Sequence, residues 1–130
     1  GTTTECEEGR YLVHAELNCL LKADALKPFP GRRRDVCLVT NVEPCLMCMG
    51  AAMSFFLGEV HFGVESPTDG AVELARLWVK DGGHLPGYRF PRVQGGLLRE
   101  ETLALFREYT RQTDPSNPMW KWADSIATLS

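Results

Sequence analysis

Apolar residues fall into a regular rhythm from residue 14 onward. Leu17, Leu20, Leu21 and Ala25 recur at helical spacing, and Pro28 sets the latest point at which that helix can end. The stretch before it, up to Gly9, is polar and acidic without periodicity and reads as a loop or frayed terminus. Val36-Cys37-Leu38-Val39-Thr40 is a short unbroken apolar run, the pattern of a strand buried on both faces. A second helix is expected from Pro44, a residue suited to a first turn, to Gly58 as its C-terminal cap. Val60 to Val64 reads as the next strand. Val72, Ala75, Leu77, Trp78 and Val79 then supply a helix ending around Asp81-Gly82-Gly83. Tyr88 to Val93 is a weaker strand whose Pro91 predicts an edge position or a bulge. A helix of this length between two strands predicts a parallel crossover, because an antiparallel pair needs only a hairpin. After Gly95-Gly96, Leu97, Leu98, Leu103, Leu105, Phe106 and Tyr109 mark an amphipathic helix. Pro115 and Pro118 break the tail before a last short helix between Met119 and Leu129. The sum is an α/β sandwich with three convincing strands.

Length and charge narrow the picture. At 130 residues the chain is read as one domain, with residues 13–111 as core and 115–130 as tail. No run of about 18 apolar residues exists, so no membrane span is expected. Five cysteines, two of them in a metal-type spacing, argue for a reducing, cytoplasmic setting and against a disulfide framework. The net charge of −3 lacks the basic excess of a phosphate-gripping protein. The only dense basic run, Arg32-Arg33-Arg34, sits beside Pro28, Pro30 and Gly31 and reads as a solvated loop.

The chemistry resides in two short motifs about thirty residues apart, His14-Ala15-Glu16 and Pro44-Cys45-Leu46-Met47-Cys48. One imidazole and two thiolates make three metal ligands and leave the fourth tetrahedral position for water, the composition of a catalytic zinc site. Glu16 supplies the nearby base such a water needs. A C-x-x-C pair alone is a weak signal; joined to Pro44 and to a His-x-Glu at a second helix start, it becomes specific. Cys45 and Cys48, three apart, share one face of a first helical turn. A structural zinc site would need a fourth protein ligand. Cys37 is expected within a strand and Cys19 lies five residues beyond His14, so neither is spaced to serve. Cys6, Cys19 and Cys37 are read as inert thiols, His61 and His84 as strand-surface or loop histidines, and Met47, Met49 and Met53 as core.

The paired motifs resemble the cytidine/deoxycytidylate deaminase superfamily, whose zinc-enzyme signature is H-x-E…P-C-x-x-C. The parallel crossover places the resemblance with the branch containing tRNA-adenosine, guanine and fungal cytosine deaminases. It extends from about His14 to Tyr109 and includes Val42-Glu43-Pro44-Cys45 and Gly58-Glu59-Val60-His61-Phe62-Gly63. The resemblance implies a three-layer α/β/α sandwich with a mixed, largely parallel sheet. It also implies Zn2+ held by His14, Cys45 and Cys48, with Glu16 shuttling protons in hydrolytic deamination. Ala15, Glu43, Pro44, Trp120 and Trp122 are the expected substrate-binding residues, the two tryptophans either covering the pocket or merely anchoring the tail. In that family a helix and two strands precede the His-x-Glu, so such a segment is expected to be absent from this chain. Branch members that edit tRNA carry a basic turn after the fourth strand, whereas Val64 to Asp69 here is acidic and proline-bearing. The expected substrate and partner is therefore a free nucleobase or nucleoside, with nucleic acid disfavoured and a homodimer anticipated. The alternatives are tRNA adenosine-to-inosine editing and a non-catalytic zinc-stabilised interaction module.

Overall fold

Two strands and the helices that follow them set the architecture. In a computed structural model describing residues 3–80, 82 and 85–130, β1 (Cys37–Val42) lies parallel to β2 (Glu59–Val64), with Cys37 opposite Glu59 and Val42 opposite Val64. β3 (Arg92–Gln94) adds to the other side of β2, again parallel, giving the order β1-β2-β3. The connecting helices are α2 (Ala15–Ala25) before β1, α3 (Leu46–Ser54) between β1 and β2, and α4 (Val72–Lys80) between β2 and β3. After β3 come α5 (Arg99–Gln112) and α6 (Trp120–Ala127). The result is the expected α/β arrangement, with the predicted parallel crossover. No helix among the described residues is long and apolar enough to cross a membrane.

Side-chain alternation along the strands decides what packs on each face. Leu38, Val60 and partly buried Val93, aligned by register, meet Leu20 of α2 and Ala52 of α3, together with Phe55 and Leu57. Met49 and Met53 of α3 continue this layer against Val72 and Ala75 of α4, so these methionines do fill the core. Val64 packs with Leu103 of α5 and Ile126 of α6. Gly63 lets α5 approach the sheet: a Cβ there would stand 2.6 Å from Asn41 O and 2.7 Å from Thr102 Oγ1.

Several local expectations change. The segment read as unstructured contains a single turn, α1 (Glu5–Glu8), closed by Gly9 at φ 61°. β1 is not buried on both faces, since Val39 is 66% exposed and Cys37 also faces outward; an unbroken apolar run does not reveal how many faces are covered. α3 stops before Gly58 because Phe56, at φ 59°, takes the left-handed turn instead. Arg33 is not a solvated loop residue. It is 8% exposed, bonds Asp24, Pro28 O and Gly31 O, and lies 5.6 Å over the Phe55 ring. Asp81, Gly83, His84 and the Cys6 side chain fall outside the described residues.

The end of β2 is clamped to the end of the chain by Arg99. Its guanidinium donates to both oxygens of Glu65, at 2.9 and 2.5 Å, and to Ser130 O at 3.1 Å. The Arg99 hydrogen bond holds the Glu65 carboxyl below the usual carboxylate range. A depressed folded-state pKa gives stability that is present above the unfolded carboxyl pKa and lost as pH falls through the folded one. Arg99→Ala should therefore lower urea stability at pH 7 more than at pH 3; equal losses at both would show that the ion pair does not contribute.

Candidate metal centre and its cavity

His14 and Cys45 are the N-cap residues of α2 and α3, and both helices start beside the C-terminal end of β1. His14 Nδ1 lies 3.4 Å from Cys45 Sγ and 3.7 Å from Cys48 Sγ. Donors sharing a tetrahedral zinc at about 2.3 Å for sulfur and 2.0 Å for nitrogen stand roughly 3.5–3.8 Å apart, so the trio already has the spacing a zinc ion needs. All three ligand atoms lie within 4.8 Å of one another.

The electrostatics suit a thiolate at Cys45. The Cys45 thiol is lowered to about 6, chiefly because the Cys48 side chain donates to its sulfur, aided by the amides of Cys48 and Met47 in the first turn of α3 and by His14. Cys48, as the donor, is pushed up, with burial and the Cys45 and Glu16 charges adding to the shift; the Leu17 amide of α2 opposes them. Burial pulls the His14 imidazole down, but the Cys45 and Glu5 charges outweigh it and its pKa is raised. Helix N-termini thus donate to the sulfurs from two directions, and at Cys45 the balance falls to the deprotonated form that binds metal.

Glu16 stands one half-turn into α2. Its Oε1 accepts a hydrogen bond from Thr40 Oγ1 of β1 at 2.8 Å, and its Oε2 is 4.0 Å from Cys48 Sγ. Metal-type donors and carboxylate therefore open on the same cavity, of about 480 Å³, the size range of small-ligand sites. Its walls include Ala15 from α2, Thr40 and Asn41 from β1, Glu43 just beyond that strand, and Met119 and Trp122 from the tail.

The remaining predicted site residues divide. Ala15 lines the cavity, and its amide donates to Thr3 Oγ1 at 3.2 Å. Trp122 lines it too, edge-on to Phe106 at 5.4 Å. Trp120 faces elsewhere: its indole N–H donates to Thr110 O at 3.1 Å and anchors the tail to α5. Pro44 is fully buried, and its carbonyl accepts from Ala71 N–H. Glu43 borders the cavity, but its carboxylate accepts backbone N–H groups of Ser66, at 3.3 Å, and Val72, at 3.0 Å. It braces the β2–α4 connection against the start of α3. Gly70 completes the joint, because a Cβ there would stand 2.4 Å from Glu43 Oε1.

Sequence reading missed Thr40, Asn41, Thr3 and Glu5. Thr40 had a signal, since alternation in β1 puts it on the same side as Leu38. Glu5 had none, because no pattern tells that a short turn folds back on His14.

Residues 1–64 match the family model described as the cytidine and deoxycytidylate deaminase zinc-binding region. A solved structure from biochemical and structural studies of A-to-I editing by tRNA:A34 deaminases at the wobble position of transfer RNA aligns at a TM-score of 0.58. It is 26% identical, over 81% of this chain and 73% of that one. The chain belongs to the cytidine and deoxycytidylate deaminase superfamily. Within it, this deaminase-family chain is 37% identical over 113 residues to tRNA(Ile)-lysidine synthase of Deinococcus radiodurans, covering 83% of the chain and 18% of that protein. It is 31% identical over 107 residues to tRNA-specific adenosine deaminase subunit tad2 of Schizosaccharomyces pombe, covering 82% of the chain and 26% of that protein. The chain thus spans about a fifth to a quarter of the length of these relatives.

These likenesses correct one expectation. A small-molecule base or nucleoside as partner, with nucleic acid disfavoured, does not stand against relatives that are named for tRNA. The physical reason is that net charge sums over the whole surface and does not register which part meets a partner.

Removing the Glu43 carboxylate strands two backbone donors. Glu43→Ala should cost about 1–3 kcal/mol in chemical denaturation while leaving the zinc stoichiometry of the folded chain intact. A stability within error of the parent would show that the brace carries no load.

Proposed function

We propose that this chain is a zinc-dependent hydrolytic deaminase acting on adenosine in tRNA and forming inosine. The observation that carries the reading is the clustering of His14 Nδ1, Cys45 Sγ and buried Cys48 Sγ beside the Glu16 carboxylate, with His14, Cys45 and Glu16 lining one cavity. His14, Cys45 and Cys48 are the ligands, and three protein ligands leave a coordination position open. Zinc bound there supplies an acidified water as the nucleophile.

The chain's own residues handle the protons. Glu16 accepts the proton given up as water attacks the carbon bearing the amine, and delivers it to the adjacent ring nitrogen. It then carries the proton of the new hydroxyl to the departing nitrogen, which leaves as ammonia. Water plus the aminopurine thus balance as the oxopurine plus ammonia. Thr40 holds one carboxylate oxygen of Glu16, leaving the other, beside Cys48 Sγ, for this traffic. Trp122 and Val42 give the cavity apolar wall for a base, and Asn41 gives it a polar edge. The choice of tRNA is supported by the resemblance to tad2 and to the tRNA:A34 deaminase structure.

Glu16→Ala should retain about one zinc per chain yet lose inosine formation on an anticodon stem-loop by at least about 100-fold. Cys48→Ala should lose the metal itself. Full turnover by Glu16→Ala would eliminate the mechanism, and equal turnover on free adenosine and on the stem-loop would eliminate the substrate assignment.

A further inference from the structure

The short helix α1 is fastened to the start of α2 at three points. Thr4 N–H donates to Val13 O at 3.3 Å, Ala15 N–H donates to Thr3 Oγ1 at 3.2 Å, and Glu5 Oε1 lies 2.5 Å from His14 Nε2. The third contact bears on the metal centre. A ligating imidazole uses one nitrogen as a lone pair, and the other carries a proton that needs an acceptor. His14 turns Nδ1 toward both sulfurs and Nε2 toward Glu5. Both side chains of that pair are only about a fifth exposed, so water does not readily replace the carboxylate.

We propose that Glu5 is a positioning residue for the zinc site: it accepts the Nε2–H of His14 and so fixes the tautomer and ring orientation that present Nδ1 to the metal. The proposal rests on the zinc reading above and extends it to a residue outside both signature motifs. A carboxylate behind a ligating histidine holds the ring and strengthens its donor nitrogen. The neighbouring acids do not duplicate the role. Glu8 is engaged by Thr4 and Arg10, and Glu7 faces the adjoining recess lined by Phe106, Tyr109 and Asn117. Thr3 and Thr4, bonded on either side of His14, keep the Glu5 turn from drifting away from it.

The test is zinc affinity, measured by competition with a chromophoric chelator, on the parent chain and on Glu5→Ala, Glu5→Gln and Glu7→Ala. Glu5→Ala should bind zinc about 10–100-fold more weakly. Glu5→Gln should recover most of the loss, because its amide oxygen accepts the same N–H, and Glu7→Ala should match the parent. Unfolding midpoints of the metal-free proteins should be alike for Glu5→Ala and Glu7→Ala, which a merely structural role would not give. Zinc affinity in Glu5→Ala equal to that of Glu7→Ala, or a loss that glutamine does not restore, overturns the proposal. Tight zinc binding by the parent without inosine formation would instead overturn the proposed reaction, because the two are read on separate measurements.

Discussion

Two helices that begin side by side govern this molecule. α2 starts on His14 and α3 starts on Cys45, and the parallel pairing of β1 with β2 carries the chain so that both starts lie at one end of the sheet. The free N–H groups of those first turns point at the sulfurs, and a parallel sheet gathers its functional loops at this same end. Every other feature of the cavity follows from that juxtaposition. Glu16 is two residues into one helix, Thr40 is near the end of the strand between them, and Glu43 locks the next connection to the second helix.

The site illustrates how one polarity serves two tasks. Amide donors from the first turns of α2 and α3 reach the sulfurs, while the Glu16 carboxylate, to which the proposed reaction assigns the protons, takes its hydrogen bond from the strand between them. Thr40 occupies one oxygen, while the second remains beside Cys48. Charge is thus distributed by hydrogen bonds from neighbouring elements and not by a bulk acidic or basic surface.

What could be read from the sequence followed a physical line. His14, Glu16, Cys45 and Cys48 were legible because their spacing is fixed within one helical turn, so sequence distance translates directly into geometry. The parallel crossover was legible from the length of α4. The exposed face of β1 was not, because an apolar run looks the same with one face covered or two. Burial of Arg33 was hidden as well: its partners Asp24 and Phe55 lie on separate elements, and a run of arginines shows only charge. Trp120 and Trp122 could not be told apart by type, and a two-residue offset on α6 sends one to Thr110 and the other to the cavity. The partner was misread for a different reason, since an average over all charges was asked a question about one surface.

The joint between Glu43 and Gly70 brings together two positions that are far apart in the chain, and each is confined by what surrounds it. A side chain at 70 has no room while the carboxylate stands at 43, and a smaller residue at 43 leaves the amides of Ser66 and Val72 without their acceptor. The route from β2 to α4 is therefore pinned twice over at Gly70: the Ser66 carbonyl, 2.7 Å from where a Cβ would stand, would still exclude a side chain there after the carboxylate at 43 had gone.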